Sequence, residues 1–181
     1  MTVPRDLGLE KIGDAFLITS RPSEELNILA DKPVVFNNIS EANFDLTAKT
    51  GRLTGPARLT LRSDKLEPFV INLQNDGGEK LSIGYDKATN HYFIDRTRAG
   101  KNSFQKDFAA RHAAPRLSGK DGVDLTLIID NASVELFADN GLTVMTEIFF
   151  PDSLLSKINI QSSEGFKIQS LTYSNMKSIW K

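Results

Sequence analysis

Apolar and polar side chains alternate along most of this chain, and a period of two places successive side chains on opposite faces of a strand. Leu7 and Leu9 lead to Ile12, Gly13-Asp14 offers a two-residue turn, and Phe16 and Ile18 carry the pattern back, which predicts a hairpin. Val34/Phe36, Phe44/Leu46/Ala48, Ala57/Leu59/Leu61 and Phe69/Ile71/Leu73 alternate with polar neighbours such as Arg58, Thr60 and Arg62, as half-buried antiparallel strands do. Asn75-Asp76-Gly77-Gly78 then turns the chain into Leu81/Ile83/Tyr85, and residues 87–90 turn it again into His91-Tyr92-Phe93-Ile94-Asp95. Residues 124–130 are nearly continuous strand formers. Asn131-Ala132 reverses them into Ser133 to Ala138, and Asp139-Asn140-Gly141 turns once more into Leu142 to Phe150, where Pro151 stops the run. Ile158/Ile160 and Ile168 with Leu171/Tyr173 complete the series.

About a dozen strands at this spacing predict an all-β fold, a sandwich of two antiparallel sheets. Helical signals are confined to Ser23-Glu24-Glu25 ahead of Leu26 and Leu29, enough for one short turn with acids at its positive end. The one long connection, Gly100 to Asp124, runs to roughly 20 residues and is therefore a place to look for function.

With 181 residues and strands throughout, the pattern supports one domain spanning residues 1–181. The 22 basic and 23 acidic residues nearly cancel, so there is no electrostatic footprint for nucleic acid or an anionic membrane surface. No cysteine is present, which removes disulfides, thiolate nucleophiles and thiolate metal ligands. No apolar run approaches the roughly 18 residues of a membrane span. Residues 1–5 lead straight into strand pattern, so the chain is expected to be the C-terminal part of a longer parent whose export signal, if it has one, lies outside this sequence.

Three segments carry a resemblance: Val3-Pro4-Arg5-Asp6-Leu7, Ile94-Asp95-Arg96-Thr97-Arg98-Ala99-Gly100, and the run from Asp130 to Gly141. Phe108 and His112 in the long loop, and Thr146-Glu147-Ile148-Phe149-Phe150-Pro151, agree with them in order and spacing. Together they resemble the C-terminal domain of glycoside hydrolase family 32, the β-fructosidases that include invertases, inulinases and levanases. The resemblance implies a concanavalin-like jelly-roll sandwich packed against an N-terminal five-bladed propeller, the propeller holding the catalytic carboxylates. The family's catalytic motifs, of the Trp-Met-Asn-Asp-Pro, Arg-Asp-Pro and Glu-Cys types, do not occur in this chain, so no catalytic residue is assigned and no cofactor or metal is expected. The retaining chemistry of such a parent needs two carboxylates about 5 to 5.5 Å apart, and that pair is expected in the propeller.

Several side chains remain as candidates. Asp95 and Arg96 stand at a strand end ahead of a glycine, where they could grip sugar hydroxyls or bind the turn's own backbone. Glu135 and Asp130 flank the Asn131-Ala132 turn and could meet at a sheet edge, as acid and base or as a polar surface contact. Asp95, Arg96 and Glu135 are the candidate carbohydrate-binding residues. His91 and His112 lack metal-ligand spacing and read as loop packing. Arg98, Lys101, Lys106, Arg111, Arg116 and Lys120 make the long loop basic, by default a solvated face. Tyr85 and Tyr92 read as core, Tyr173 and Trp180 could stack on a sugar ring where exposed, and Trp180 could equally seal the sandwich or lie against the propeller.

Two functions fit. One is an accessory module that stabilises the catalytic propeller, its partner in the parent, and it requires an exposed apolar patch on one flank. The other is a fructan- or fructose-binding module resembling carbohydrate-binding family 66, which requires a polar pocket with an aromatic wall. A stand-alone hydrolase would need converging acids, and the sequence offers none.

Overall fold

The computed structural model describes residues 2–163 and 166–177. Among the described residues, fourteen strands form two six-stranded antiparallel sheets and a separate two-stranded one. The small sheet is the expected hairpin, β1 (Arg5–Ile12) with β2 (Ala15–Pro22), in a register that sets Leu9 opposite Ile18 and closes at Ile12 opposite Ala15. A 3-10 turn, Glu24–Leu29, follows and buries Leu26.

The first large sheet runs in the order β12 (Thr143–Ile148), β11 (Ser133–Ala138), β10 (Val123–Ile129), β5 (Ala57–Ser63), β14 (Ile168–Asn175), β3 (Val34–Ile39). The second runs β4 (Asn43–Asp45), β13 (Lys157–Ser162), β6 (Phe69–Gln74), β7 (Lys80–Asp86), β8 (His91–Arg98), β9 (Arg111–Pro115). Alternate residues of both sheets meet between them. Leu59, Leu61, Leu125, Leu136 and Leu171 from one side, and Ile71, Ile83, Tyr92, Ile94 and Ile158 from the other, belong to one buried cluster. On the outer face of the first sheet a smaller cluster, Leu26, Ile128, Phe137 and Met176 with Val3 and Leu29 against it, seats the 3-10 turn and the start of the chain.

Two expectations need correction. The Phe44/Leu46/Ala48 strand stops at Asp45 and becomes a short helix, α1 (Leu46–Thr50). There the Asp45 carboxylate caps the helix by accepting from the Ala48 amide at 3.0 Å. Leu46 is fully buried, and Thr47 Oγ1 accepts from the Ile158 amide at 2.6 Å, so the packing that a strand would have supplied is retained. The long connection is also not irregular throughout, because β9 lies inside it and pairs with β8 from Asp95–Arg111 to His91–Pro115. As an edge strand, with Arg111, His112 and Ala113 all exposed, β9 carries no apolar alternation from which it could be read.

Candidate functional site

Glu135 leaves β11 on its outer face and is buried, with a side chain 5 % exposed. A carboxylate there must be matched by donors. The start of the chain supplies them: the Val3 amide donates to Oε1 at 2.6 Å, and Arg5 donates to Oε2. Arg5 also donates to Thr146 Oγ1 on β12 at 2.9 Å, and its guanidinium lies 5.1 Å from the centroid of the Phe137 ring. Glu135 thus fastens the entry of β1 to the first sheet. Asp130 does not join it; its carboxylate accepts from the neighbouring Asn131 amide at 2.8 Å and shapes the turn.

Asp95 and Arg96 are adjacent in sequence and diverge in space. Asp95 Oδ1 accepts from the amide and hydroxyl of Thr97 at 3.0 and 2.7 Å. Arg96 turns to the sandwich edge where β8 of one sheet faces β12 of the other. Its Nη1 lies 3.1 Å from Glu147 Oε2 and donates to the Ile148 carbonyl at 3.0 Å, while its guanidinium covers the Phe108 ring at 3.9 Å. Its Nε is buried with no hydrogen-bond partner. Glu147, also buried, accepts a second bond from His112 Nδ1 at 2.6 Å. Asp95 and Arg96 do not share a site with Glu135, which is held by Val3 and Arg5 on the other sheet.

A third ionic group is not legible in the sequence. Arg116, from the basic loop, has a side chain only 9 % exposed instead of a solvated one: its Nε donates to Asp139 Oδ2 at 3.0 Å, and its Nη2 donates to the Lys120 and Gly122 carbonyls at 2.7 and 2.8 Å. The Tyr92 hydroxyl donates to the same carboxylate oxygen at 2.9 Å. Burial and the adjacent Asp139 charge push the Tyr92 phenol well above its ordinary range, so it remains a donor. Of the other loop cations, Lys101 pairs with Asp152 at 3.2 Å, and Arg111 covers the Phe93 ring at 3.9 Å. His91 donates from Nδ1 to the Thr89 carbonyl at 2.6 Å. Tyr85 and Tyr92 are both buried and sit opposite each other on β7 and β8, as expected, and Tyr173 is buried as well. Trp180 lies outside the described residues.

In each of these three clusters the carboxylate has an arginine bound to it, and two such carboxylates are not brought together. No group of three or more His, Cys, Asp or Glu suited to a metal ion occurs among the described residues. Each cluster joins segments that lie far apart in the sequence.

The surface carries exposed apolar side chains beside a polar concavity of about 790 Å³ whose walls include Arg58, Thr60, Arg62 and Asp124. Leu7, Leu9, Phe16 and Ile18 share the outer face of the hairpin and are 68 to 72 % exposed. The opposite face lies toward the sandwich: Thr19 is buried, the Ser20 amide donates to the Gly141 carbonyl at 2.9 Å, and Asn140 Nδ2 donates to Glu10 at 3.2 Å. Gly141, at φ +80°, permits this seat, since a Cβ there would stand 2.3 Å from the Ser20 carbonyl oxygen. A second apolar area lines a groove of about 870 Å³ with Phe104, Phe150, Lys101, Asp152, Asn131 and Ala132 among its walls.

Comparison with known proteins gives the family. Residues 20–176 match the family described as glycosyl hydrolases family 32 C terminal. The extracellular exo-inulinase of Aspergillus awamori is 28% identical over 172 residues, which cover 91% of this chain and 32% of the relative. The levanase of Bacillus subtilis is 24% identical over 186 residues, 99% of this chain and 27% of the relative. The crystal structure of the Aspergillus awamori exo-inulinase superposes with a TM-score of 0.78 at 26% identity, covering 99% of this chain and 36% of that one. The chain therefore spans about a third or less of the length of these relatives.

Proposed function

This chain belongs to the C-terminal domains of the glycosyl hydrolases of family 32, and we propose that it is a non-catalytic sandwich that stabilises the catalytic domain of a β-fructosidase acting on levan, inulin or sucrose. In this reading residues 1–181 are one module, and the carboxylates that split the fructosyl linkage stand in a propeller ahead of it.

The observation that carries the reading is the hairpin. Leu7, Leu9, Phe16 and Ile18 form an exposed apolar face on a two-stranded sheet whose other face is committed to the sandwich. A two-stranded sheet with one face in water is marginal by itself. Covering each of those side chains would contribute about 1.5 to 3 kcal/mol, which suits a permanent neighbour.

The alternative, a fructan-binding module that grips sugar through Asp95, Arg96 and Glu135, has less to stand on. Arg96 and Glu135 are occupied by protein partners, and Asp95 by Thr97. The test is to mix this chain with the separately produced N-terminal catalytic domain of its parent and measure association and thermal stability. We expect a stoichiometric complex in which the catalytic domain melts at higher temperature, weakened by Leu9→Asp with Ile18→Asp. A catalytic domain that is equally stable and active without this chain would overturn the proposal. Titration with levan, inulin and fructose on the same sample addresses the alternative, for which heat abolished by Arg96→Ala would be the sign.

A further inference from the structure

We infer that a second surface, a strip made by Ile148, Phe150 and Phe104 at the edge of β12, is also covered by the catalytic domain, so that the module is held at two separate places. This rests on the proposed function and names a surface that the hairpin does not include.

The strip begins with alternation. Thr146 and Ile148 point to the outer face of β12, and beyond the strand Phe149 is buried while Phe150 is exposed, which prolongs the same side. Ile148 is 46 %, Phe150 41 % and Phe104 60 % exposed, high values for large apolar side chains. Phe104 lies against Phe108 and Phe150 with centroids 4.7 and 5.7 Å away, and Phe108 stacks on Phe150 at 5.5 Å.

These rings are fixed before any partner arrives. Arg96 covers Phe108 and bonds the Ile148 carbonyl, and the Lys101 amide donates to the Phe150 carbonyl at 2.8 Å. Gly100, at φ +116°, lets the loop close that tightly, since a Cβ there would stand 2.1 Å from the Phe150 carbonyl oxygen. A rigid apolar surface loses little entropy on being covered. The Lys101–Asp152 pair beside it supplies the exposed polar rim usual around an apolar interface core.

The position of the chain's entry identifies the occupant. Arg5 is bonded to Thr146, and Ile148 and Phe150 follow on the same side of β12. Any polypeptide joined ahead of Val3 therefore starts on the outer face of the same sheet, by the Glu135–Thr146 pair that stands two residues before Ile148 on β12. The two relatives have about two thirds or more of their length outside the matched part, since the chain covers only 32% and 27% of them. A domain of that size attached at Val3 has the strip within immediate reach. The hairpin's turn end, by contrast, lies at the opposite end of β11, where Glu10 meets Asn140. Contacts at both ends of β11 would fix the orientation of the two domains, which one contact leaves free to pivot.

The experiment measures affinity for the separately produced catalytic domain of the parent with wild-type chain, with Phe104→Ser, with Ile148→Thr, and with the hairpin pair Leu9→Asp/Ile18→Asp. Circular dichroism and melting confirm that each variant is folded, and the two independent strip substitutions guard against a local collapse of the aromatic group. We expect each strip substitution to weaken association at least about tenfold, the loss of roughly 1.4 kcal/mol at an interface core. Wild-type affinity in both strip variants with loss only in the hairpin pair would overturn the inference and leave the proposed function standing. No association by the wild-type chain would overturn both. Self-association, or inulin or levan binding, abolished by Phe104→Ser with unchanged affinity for the catalytic domain would assign the strip to a second copy or to sugar and overturn the inference as well.

Discussion

Arg96 on β8 and Glu147 on β12 reach toward each other from different sheets and meet at 3.1 Å across the sandwich edge. Both are nearly buried, at 11 % and 9 % side-chain exposure, so removing either leaves a charge without its partner in a poorly solvated place. Glu147→Ala is expected to destabilise the domain by about 3 kcal/mol in urea denaturation, and Arg96→Ala by a similar amount. The double variant should cost much less than the sum, and additive effects would show that the pair is not coupled.

Glu135→Ala acts locally, because its partners are Val3 and Arg5 at the entry of β1. Amide hydrogen exchange should show faster exchange over residues 5–22 while β5, β10 and β14 keep their protection. Uniform loss across the sandwich would mean that the hairpin and the sheets unfold as one unit.

Asp76 gives a pH dependence of definite sign. Hydrogen bonds from Arg52 and Lys157 hold its carboxyl well below the ordinary 3.8. The folded state therefore binds this proton less readily than the unfolded chain, and the contribution is complete above that ordinary value and lost as pH falls through the folded one. Asp76→Asn should lower stability near neutrality and make the acid limb of the stability–pH curve shallower. Parallel curves for the two proteins would rule the contribution out.

Gly100→Ala tests the seat of the aromatic loop. The left-handed backbone and the approach to Phe150 together leave no room for a methyl group. A loss of about 2 kcal/mol in thermal or chemical denaturation is expected, within the range for strain at a special backbone position.

Most of the strand pattern was legible because half-buried strands announce themselves by alternation, as Ala57/Leu59/Leu61 and Ile71/Leu73 do. The hairpin was legible for the same reason, but alternation reports that two faces differ and not which one meets the core: Leu7, Leu9, Phe16 and Ile18 turn outward. Strand β9 was missed because an exposed edge strand has no apolar face to display, and α1 because the Asp45 cap competes with a pattern that would suit a strand equally well. Among the polar residues, Glu135 and Arg96 could be named from their segments. Their partners could not, since Val3 and Arg5 lie more than a hundred positions from Glu135, and Glu147 lies about fifty from Arg96. Arg116 was hidden among loop cations, although its contact with Asp139 depends on burial and not on local charge.

Strand β14 lies between β5 and β3, and among the described residues β3 has no other neighbour in its sheet. During synthesis on the ribosome, Val34–Ile39 must therefore wait unpaired until Ile168–Asn175 has emerged, so the larger share of translation passes with an unsatisfied edge in the nascent chain. A stop codon ahead of residue 168 would leave an aggregation-prone polypeptide rather than a shorter domain.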